Sequence, residues 1–300
     1  MTTPITKPHV LARFKPLLTL AVGFLAALGV LSLTHLGPAQ AQSPGVNLAA
    51  LVAQVNTLKA QVATLQQKTA PLSVSGTPGT FPATLSITGV NVQIVSGSGY
   101  TDDGTGGEIP NVTTLTGLGN LILGYNALGN ALGAGDVRTG SHNLILGDYN
   151  NYSSYGGLIA GVDNAISGRY ASVSGGYFNT ASGIAASVSG GYYNTASGQY
   201  ASVSGGQGNT ASGNYASVSS GIDNTASGDN ASVSGGRLNA ASGDNASVSG
   251  GYGNTASGFY ASVSGGYINT ASGNYASVSG GLSLTQNNDY GWTGGTYQSP

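Results

Sequence analysis

One phrase of fifteen residues, roughly SG-xY-ASVSGG-xx-NTA, repeats from Ser167 to Gly281 without insertion or deletion. Its central valine stands at Val173, Val188, Val203, Val218, Val233, Val248, Val263 and Val278. A spacing that strict is the signature of a solenoid, in which each repeat forms one coil and stacks on the next. The first valine lies between Ser172 and Ser174, and every copy keeps this arrangement, so in an extended chain valine faces one side and both hydroxyls the other. The second short element, Thr180-Ala181-Ser182 and its copies, sets alanine between hydroxyls in the same way. The pattern predicts two short strands per coil, apolar inside and hydroxylated outside, joined by glycine turns, with the valine column as the structural core. A flexible Gly/Ser linker has no reason to keep valine in phase eight times.

Glycine fills 51 of 300 positions and charged residues only 6%, which is not the composition of an ordinary globular enzyme. Three of the eight bases, Lys7, Arg13 and Lys15, precede Pro16, and without them five bases face ten acids. That balance offers no patch for nucleic acid. Cysteine is absent, which excludes disulfides, thiol nucleophiles and thiolate metal sites. Beyond the N-terminal segment the only histidine is His142 and the only glutamate Glu108. Asp148, Asp163, Asp223, Asp229 and Asp244 are spread singly along the chain, although Asp229 and Asp244 fall one coil apart in the same column. Catalysis by paired carboxylates needs clustered acids, so no enzyme, cofactor or metal site is expected, and the Asp229/Asp244 pair reads as solvated.

Residues 1–41 have the form of a secretory signal: early positive charges, an apolar run from Leu17 to Leu33, and Ala39-Gln40-Ala41 for cleavage. An uncleaved anchor is the alternative. Within residues 42–70, Leu48, Leu51, Val55, Leu58, Val62 and Leu65 step by three and four, which predicts a short coiled coil ended by Pro71. Valine at a with leucine at d leans toward two strands. Residues 71–118 read as a linker followed by strand-like alternation from Thr84 to Val95, which is expected to supply the first rungs. The loop from Ser96 to Pro110 carries Asp102, Asp103 and Glu108 at spacings that match no calcium-binding loop.

Residues 119–166 form an irregular array. Asn120-Leu121-Ile122-Leu123-Gly124 recurs as Asn143-Leu144-Ile145-Leu146-Gly147, and Leu158-Ile159-Ala160-Gly161 follows fourteen residues later. The segment Ala127 to His142 interrupts the array and reads as a projecting loop. Leu158 lies fifteen residues before Val173, and Asn164 fifteen before Asn179, so the array runs into the regular repeats of residues 167–281. Residues 282–300 break the phrase and read as a cap, with Trp292 covering the last rung.

One valine and two alanines per coil bury too little apolar surface to offset the ordering of fifteen backbones. A homo-oligomer is therefore expected, with the Val and Ala ranks lining each chain's own narrow lumen or facing a shared axis. The alternation of SVSGG with NTASG, and the NLILG and LIAG rungs fourteen apart, resemble the YadA-like head repeats of trimeric autotransporter adhesins. The resemblance covers about Asn120 to Gly281, and the heptads are similar to a stalk; the family's C-terminal membrane barrel has no counterpart after Gly281. It implies an all-β fold, a parallel β-roll or β-solenoid of 14- to 15-residue repeats, trimeric and displayed outside a bacterial cell for attachment.

Stacked at about 4.8 Å per rung, identical positions become rows. Tyr170, Tyr200, Tyr215, Tyr260 and Tyr275 share one column, broken by Ala185, Asn230 and Asn245, and Tyr177, Tyr192, Tyr252 and Tyr267 share another. Exposed at turns, they are suited to a sugar or a partner protein; the plainer reading has them stack on each other. The asparagine column from Asn179 to Asn269 suits an amide ladder or a left-handed turn position. The expected function is a secreted or surface-exposed adhesive fibre that binds host matrix protein or glycan through these columns and Trp292. The alternatives are a non-adhesive extracellular or phage-like spacer and, more remotely, an ice-binding solenoid that uses the Thr180/Ser182 hydroxyl rows.

Overall fold

A computed structural model describes residues 48–75, 84–101, 115–129 and 135–295, in two compact units, Met1–Val92 and Gln93–Pro300. The signal segment and the acids Asp102, Asp103 and Glu108 lie outside the described residues.

In the first unit, α1 (Leu48–Thr69) is a 22-residue helix with no buried residue. Thr57, Thr64 and Thr69 turn their hydroxyls back onto the carbonyls of Ala53, Ala60 and Leu65, and Lys68 sits in the last turn, where the helix dipole favours a cation. β1 (Leu72–Ser75) and β2 (Thr84–Ile87) pair antiparallel, Leu72 opposite Ile87 and Val74 opposite Leu85. This differs from the expectation that residues 84–95 begin the solenoid. The alternation identifies a strand, but its partner is the segment read as linker, and pairing to a near neighbour costs less loop entropy than joining a distant stack.

The second unit is an all-β parallel solenoid. Strands β3 (Leu121–Leu123), β4 (Leu144–Asp148), β6 (Leu158–Val162), the eight Ser-Val pairs and Trp292–Thr293 build a 12-stranded sheet; β5 (Asn151–Tyr152), β7 (Ala165–Ile166), the Thr-Ala pairs with Ala240–Ala241 among them, and Thr285–Gln286 build a 10-stranded sheet. The longer sheet extends roughly 50 Å along the stack. Every regular coil is in register, valine on valine and alanine on alanine. The eight core valines are 0–1% exposed, and the alanines at 171 and 181 and their copies are equally buried. This happens within one chain, so the ranks close a private lumen and do not face a shared axis. Toward the N-terminal end the lumen widens to hold Ile145, Ile159, Ile166 and Tyr152.

A third parallel ladder was not legible in the sequence. Single bridges run from Val162 through Tyr177, Tyr192, Gln207, Ile222, Arg237, Tyr252 and Tyr267 to Leu282. Their side chains vary, because only the backbone is used. The structure also shifts one alignment: Val173 pairs with Ile159, fourteen residues back, and Leu158 pairs with Ser172 on the outer side. Past the corner, however, Tyr177 pairs with Val162, fifteen back. The extra residue of the regular coil is thus inserted between Ser174 and Gly176, at Gly175, beside which a Cβ would meet nothing within 4 Å. One copy carries Ser220 at this open corner. The next glycine has no such freedom: Gly176, Gly191 and their copies have positive φ, and a Cβ would collide with the glycine carbonyl one coil on.

The asparagine column closes the fold. Asn194 donates its backbone N–H to Asn179 Oδ1 (3.0 Å), its Nδ2 to the Gly190 and Gly206 carbonyls (2.9 Å each), and its Oδ1 accepts from Asn209 N–H (3.0 Å). The same cradle recurs from Asn164 to Asn269, fully buried, and ends on Leu284 N–H. A second amide column, Asn120 to Asn143 to the Gly157 N–H, serves the irregular section on the opposite turn. Part of the expected projecting loop is a rung as well: Arg138 bridges Tyr152, and Gly140 N–H donates to Tyr152 O (3.1 Å).

Candidate functional site

The tyrosine columns lie at the corners where the coil reverses. Besides the Gly176 series, two residues per coil adopt left-handed backbone there. One series is Tyr170, Ala185, Tyr200, Tyr215, Asn230, Asn245, Tyr260, Tyr275 and Tyr290; the other includes Asp163, Phe178, Tyr193, Asp223, Leu238 and Ile268, all with φ between 52° and 60°. A bulky L-residue in this region costs about 1–2 kcal/mol relative to an ordinary conformation, and glycine or asparagine is the usual solution. The sequence places tyrosine there repeatedly, so the ring contributes something at these corners.

What it contributes first is stacking. Tyr260 and Tyr275 lie 5.3 Å apart between ring centres and 3° from parallel, and Tyr275 and Tyr290 4.9 Å and 2°. Tyr200 and Tyr215 stack at 4.9 Å and 16°, and Phe259 meets Tyr260 and Tyr275 edge-on. Tyr170 stands apart from this series, edge-on to the buried Tyr155 at 5.3 Å. In the bridge column Tyr252 and Tyr267 stack at 5.0 Å and 8°, and Tyr177 and Tyr192 at 5.8 Å and 20°. Phe178 and Tyr193, which the sequence columns passed over, join the latter pair in a cluster of four rings. Tyr290 was missed because it falls in the segment read as tail, although it lies fifteen residues after Tyr275.

The stacked rings spend faces on each other. A ladder of this kind offers hydrogen bonds and ring edges to a partner, with a free face only at its ends. Partial burial raises the Tyr177 phenol above its ordinary range, and the Asp163 carboxylate and the neighbouring phenols add to the shift. Tyr192 is raised by the same partial burial and by Tyr193.

Trp292 pairs with Ser277 and so continues the outward serine column; the lumen position beside it is Thr293, in register with Val278. The indole is 69% exposed and donates Nε1–H to Ser279 Oγ at 2.7 Å. Capping falls to its neighbours instead: Gln286 occupies the alanine column and Leu284 the asparagine column. At the other end Ile122 holds the lumen position of the first rung but is 44% exposed, against 0% for Ile145 behind it.

The remaining polar residues have structural work. Asp229 Oδ1 accepts from Asn214 N–H (2.9 Å) and Asp244 Oδ1 from Asp229 N–H (3.1 Å), and Gln199 N–H and Asn274 N–H are capped in the same column by Asn214 and Asp289. The two aspartates are steps of an Asx ladder. His142 takes the left-handed corner position (φ 54°) and accepts from Ser96 N–H at 3.1 Å, beside a hollow lined by Gly97, Tyr100 and Thr101. Among the described residues no three His, Cys, Asp or Glu side chains converge as a metal site, and no helix is long and apolar enough to cross a membrane.

No family model and no curated protein matches the chain.

Proposed function

We propose that the protein is a structural and adhesive fibre that works outside the cell, with the solenoid as its attachment surface. The observation that supports this reading is the recurrence of half-exposed tyrosines at strained left-handed corners, since strain of this kind gathers at functional sites. The secretory form of the first forty-one residues points to export. On the α1 stripe Leu48, Leu51, Leu58 and Leu65 are 43–60% exposed; a second and third copy of the helix would cover them as a coiled coil, with a trimer suggested by the YadA-like resemblance. The valine and alanine ranks close within one chain, so the surface that supports a homo-oligomer is the exposed face of the helix. Ring faces already engaged by other rings favour a second reading, a non-adhesive spacer whose corners are merely stiffened.

The test is binding of the purified chain to host matrix proteins, glycan arrays and abiotic surfaces, compared with a variant carrying Tyr200, Tyr215, Tyr260 and Tyr275 replaced by serine. Binding that falls about tenfold or more in a variant that still folds supports adhesion through these columns. No binding, or binding untouched by the substitutions, leaves the spacer.

A further inference from the structure

The parallel tyrosine pairs are arranged for a covalent reaction as well as for contact. Tyr200 with Tyr215, Tyr252 with Tyr267, Tyr260 with Tyr275 and Tyr275 with Tyr290 have ring centres 4.9–5.3 Å apart and planes within 16° of parallel. Their backbones are fixed by ladder hydrogen bonds, such as Tyr275 N–H to Phe259 O and Tyr290 N–H to Asn274 O at 2.7 Å each. Within each pair the two residues share one column, and in the corner column one left-handed backbone conformation, so the coil spacing holds the two rings near parallel at about one rung's separation. Tyr200, Tyr215, Tyr260, Tyr267, Tyr275 and Tyr290 are 44–78% exposed, which opens them to an oxidant in solution.

We propose that these pairs are sites of oxidative coupling, at which a peroxidase-class one-electron oxidant working with hydrogen peroxide joins successive coils of one chain through dityrosine. Each phenol of a pair gives up one electron and its hydroxyl proton to become a phenoxyl radical. The two radicals join through the ring carbons ortho to oxygen, one carbon–carbon bond forming as each of those carbons loses its hydrogen and each oxygen regains a proton. In sum two phenols and one hydrogen peroxide yield one biphenol and two waters. Radical meeting is intramolecular and held by the coil spacing, the arrangement that gives high effective molarity. The chain has no cysteine, so this is a covalent staple open to it in an oxidising exterior.

The proposal is independent of adhesion. Tyr125, 96% exposed, and Tyr100, 51% exposed, stack on no other ring among the described residues and serve as internal controls. The full chain, as a mixture of isotopically labelled and unlabelled protein, is treated with a haem peroxidase and limiting hydrogen peroxide. Dityrosine fluorescence is recorded and the cross-linked peptides are mapped by mass spectrometry. The expected result is within-chain links at the four stacked pairs, about tenfold more abundant than links at Tyr125 or Tyr100, at a rate independent of protein concentration. The variant Tyr275→Phe, which keeps a ring in the stack, loses the Tyr260–Tyr275 and Tyr275–Tyr290 links and keeps the Tyr252–Tyr267 link. Absence of dityrosine, links that follow exposure alone, links mainly between chains, or a Tyr275→Phe variant with unchanged yield at Tyr260 each overturn the proposal.

Discussion

Asparagine and glycine do most of the work that side-chain burial cannot do in so thin a core. A buried amide that satisfies four backbone or amide partners at once replaces the larger hydrophobes an ordinary lumen would need. The substitution Asn194→Ala strands the Asn209 N–H and the Gly190 carbonyl, and should cost about 2–5 kcal/mol, since each buried unsatisfied group costs about 1–3 kcal/mol. Gly205→Ala, at an open corner with ordinary φ, should be neutral or stabilising by up to about 1 kcal/mol through the unfolded chain. Denaturant midpoints of the two variants against the parent decide this; equal loss in both would contradict the ladder's role. The asparagine column was visible in the sequence as either an amide ladder or a left-handed turn position, and the side-chain bonds from coil to coil are those of the ladder. The stacking partners of the tyrosines were visible as columns, whereas the left-handed corners that hold them were not, because tyrosine is not a residue that announces positive φ.

At the scale of one coil, the corner between the two sheets absorbs a change of period. Fourteen-residue and fifteen-residue coils share the same strands, the same asparagine cradle and the same lumen positions, and differ by the single unconstrained Gly175 or its equivalent. The sequence pattern therefore gave the right coil but the wrong partner for Val173, since a count of fifteen hides a slip that occurs inside a Gly-Gly pair. Shortening Gly190-Gly191 to one glycine should keep the solenoid and cost about 1 kcal/mol or less, whereas deleting Ser187 moves Val188 to the outer face and should unfold the adjoining coils. Far-UV circular dichroism and limited proteolysis distinguish these outcomes. The α1 helix was read correctly as an element; the hairpin after it escaped because antiparallel and parallel strands show the same alternation.

At the scale of the whole molecule, burial of phenols among the described residues ties stability to alkaline pH. Burial raises Tyr152 above its ordinary value of 10.0, with Arg138 opposing in part, and burial raises Tyr155 with the Tyr170 phenol adding. A raised folded value means that the native state holds the proton more firmly than the unfolded chain. The contribution is complete below pH 10 and is lost as pH rises through the raised values. Denaturant midpoints should therefore decline above about pH 10, and replacing Tyr155 with phenylalanine should reduce the slope of that decline. An unchanged slope would show that these phenols titrate normally in the folded chain.

The in-register stacking of near-identical coils also bears on how such a gene changes. Because each coil contacts only its two neighbours and meets them by the same bonds, recombination between misaligned copies that adds or drops a whole coil's worth of codons yields a protein with the same ends, the same lumen and a different length. Reach can thus change with copy number while every individual contact stays as it was, and Ala185, Asn230, Asn245 and Ala240 show columns that accept another residue without breaking register.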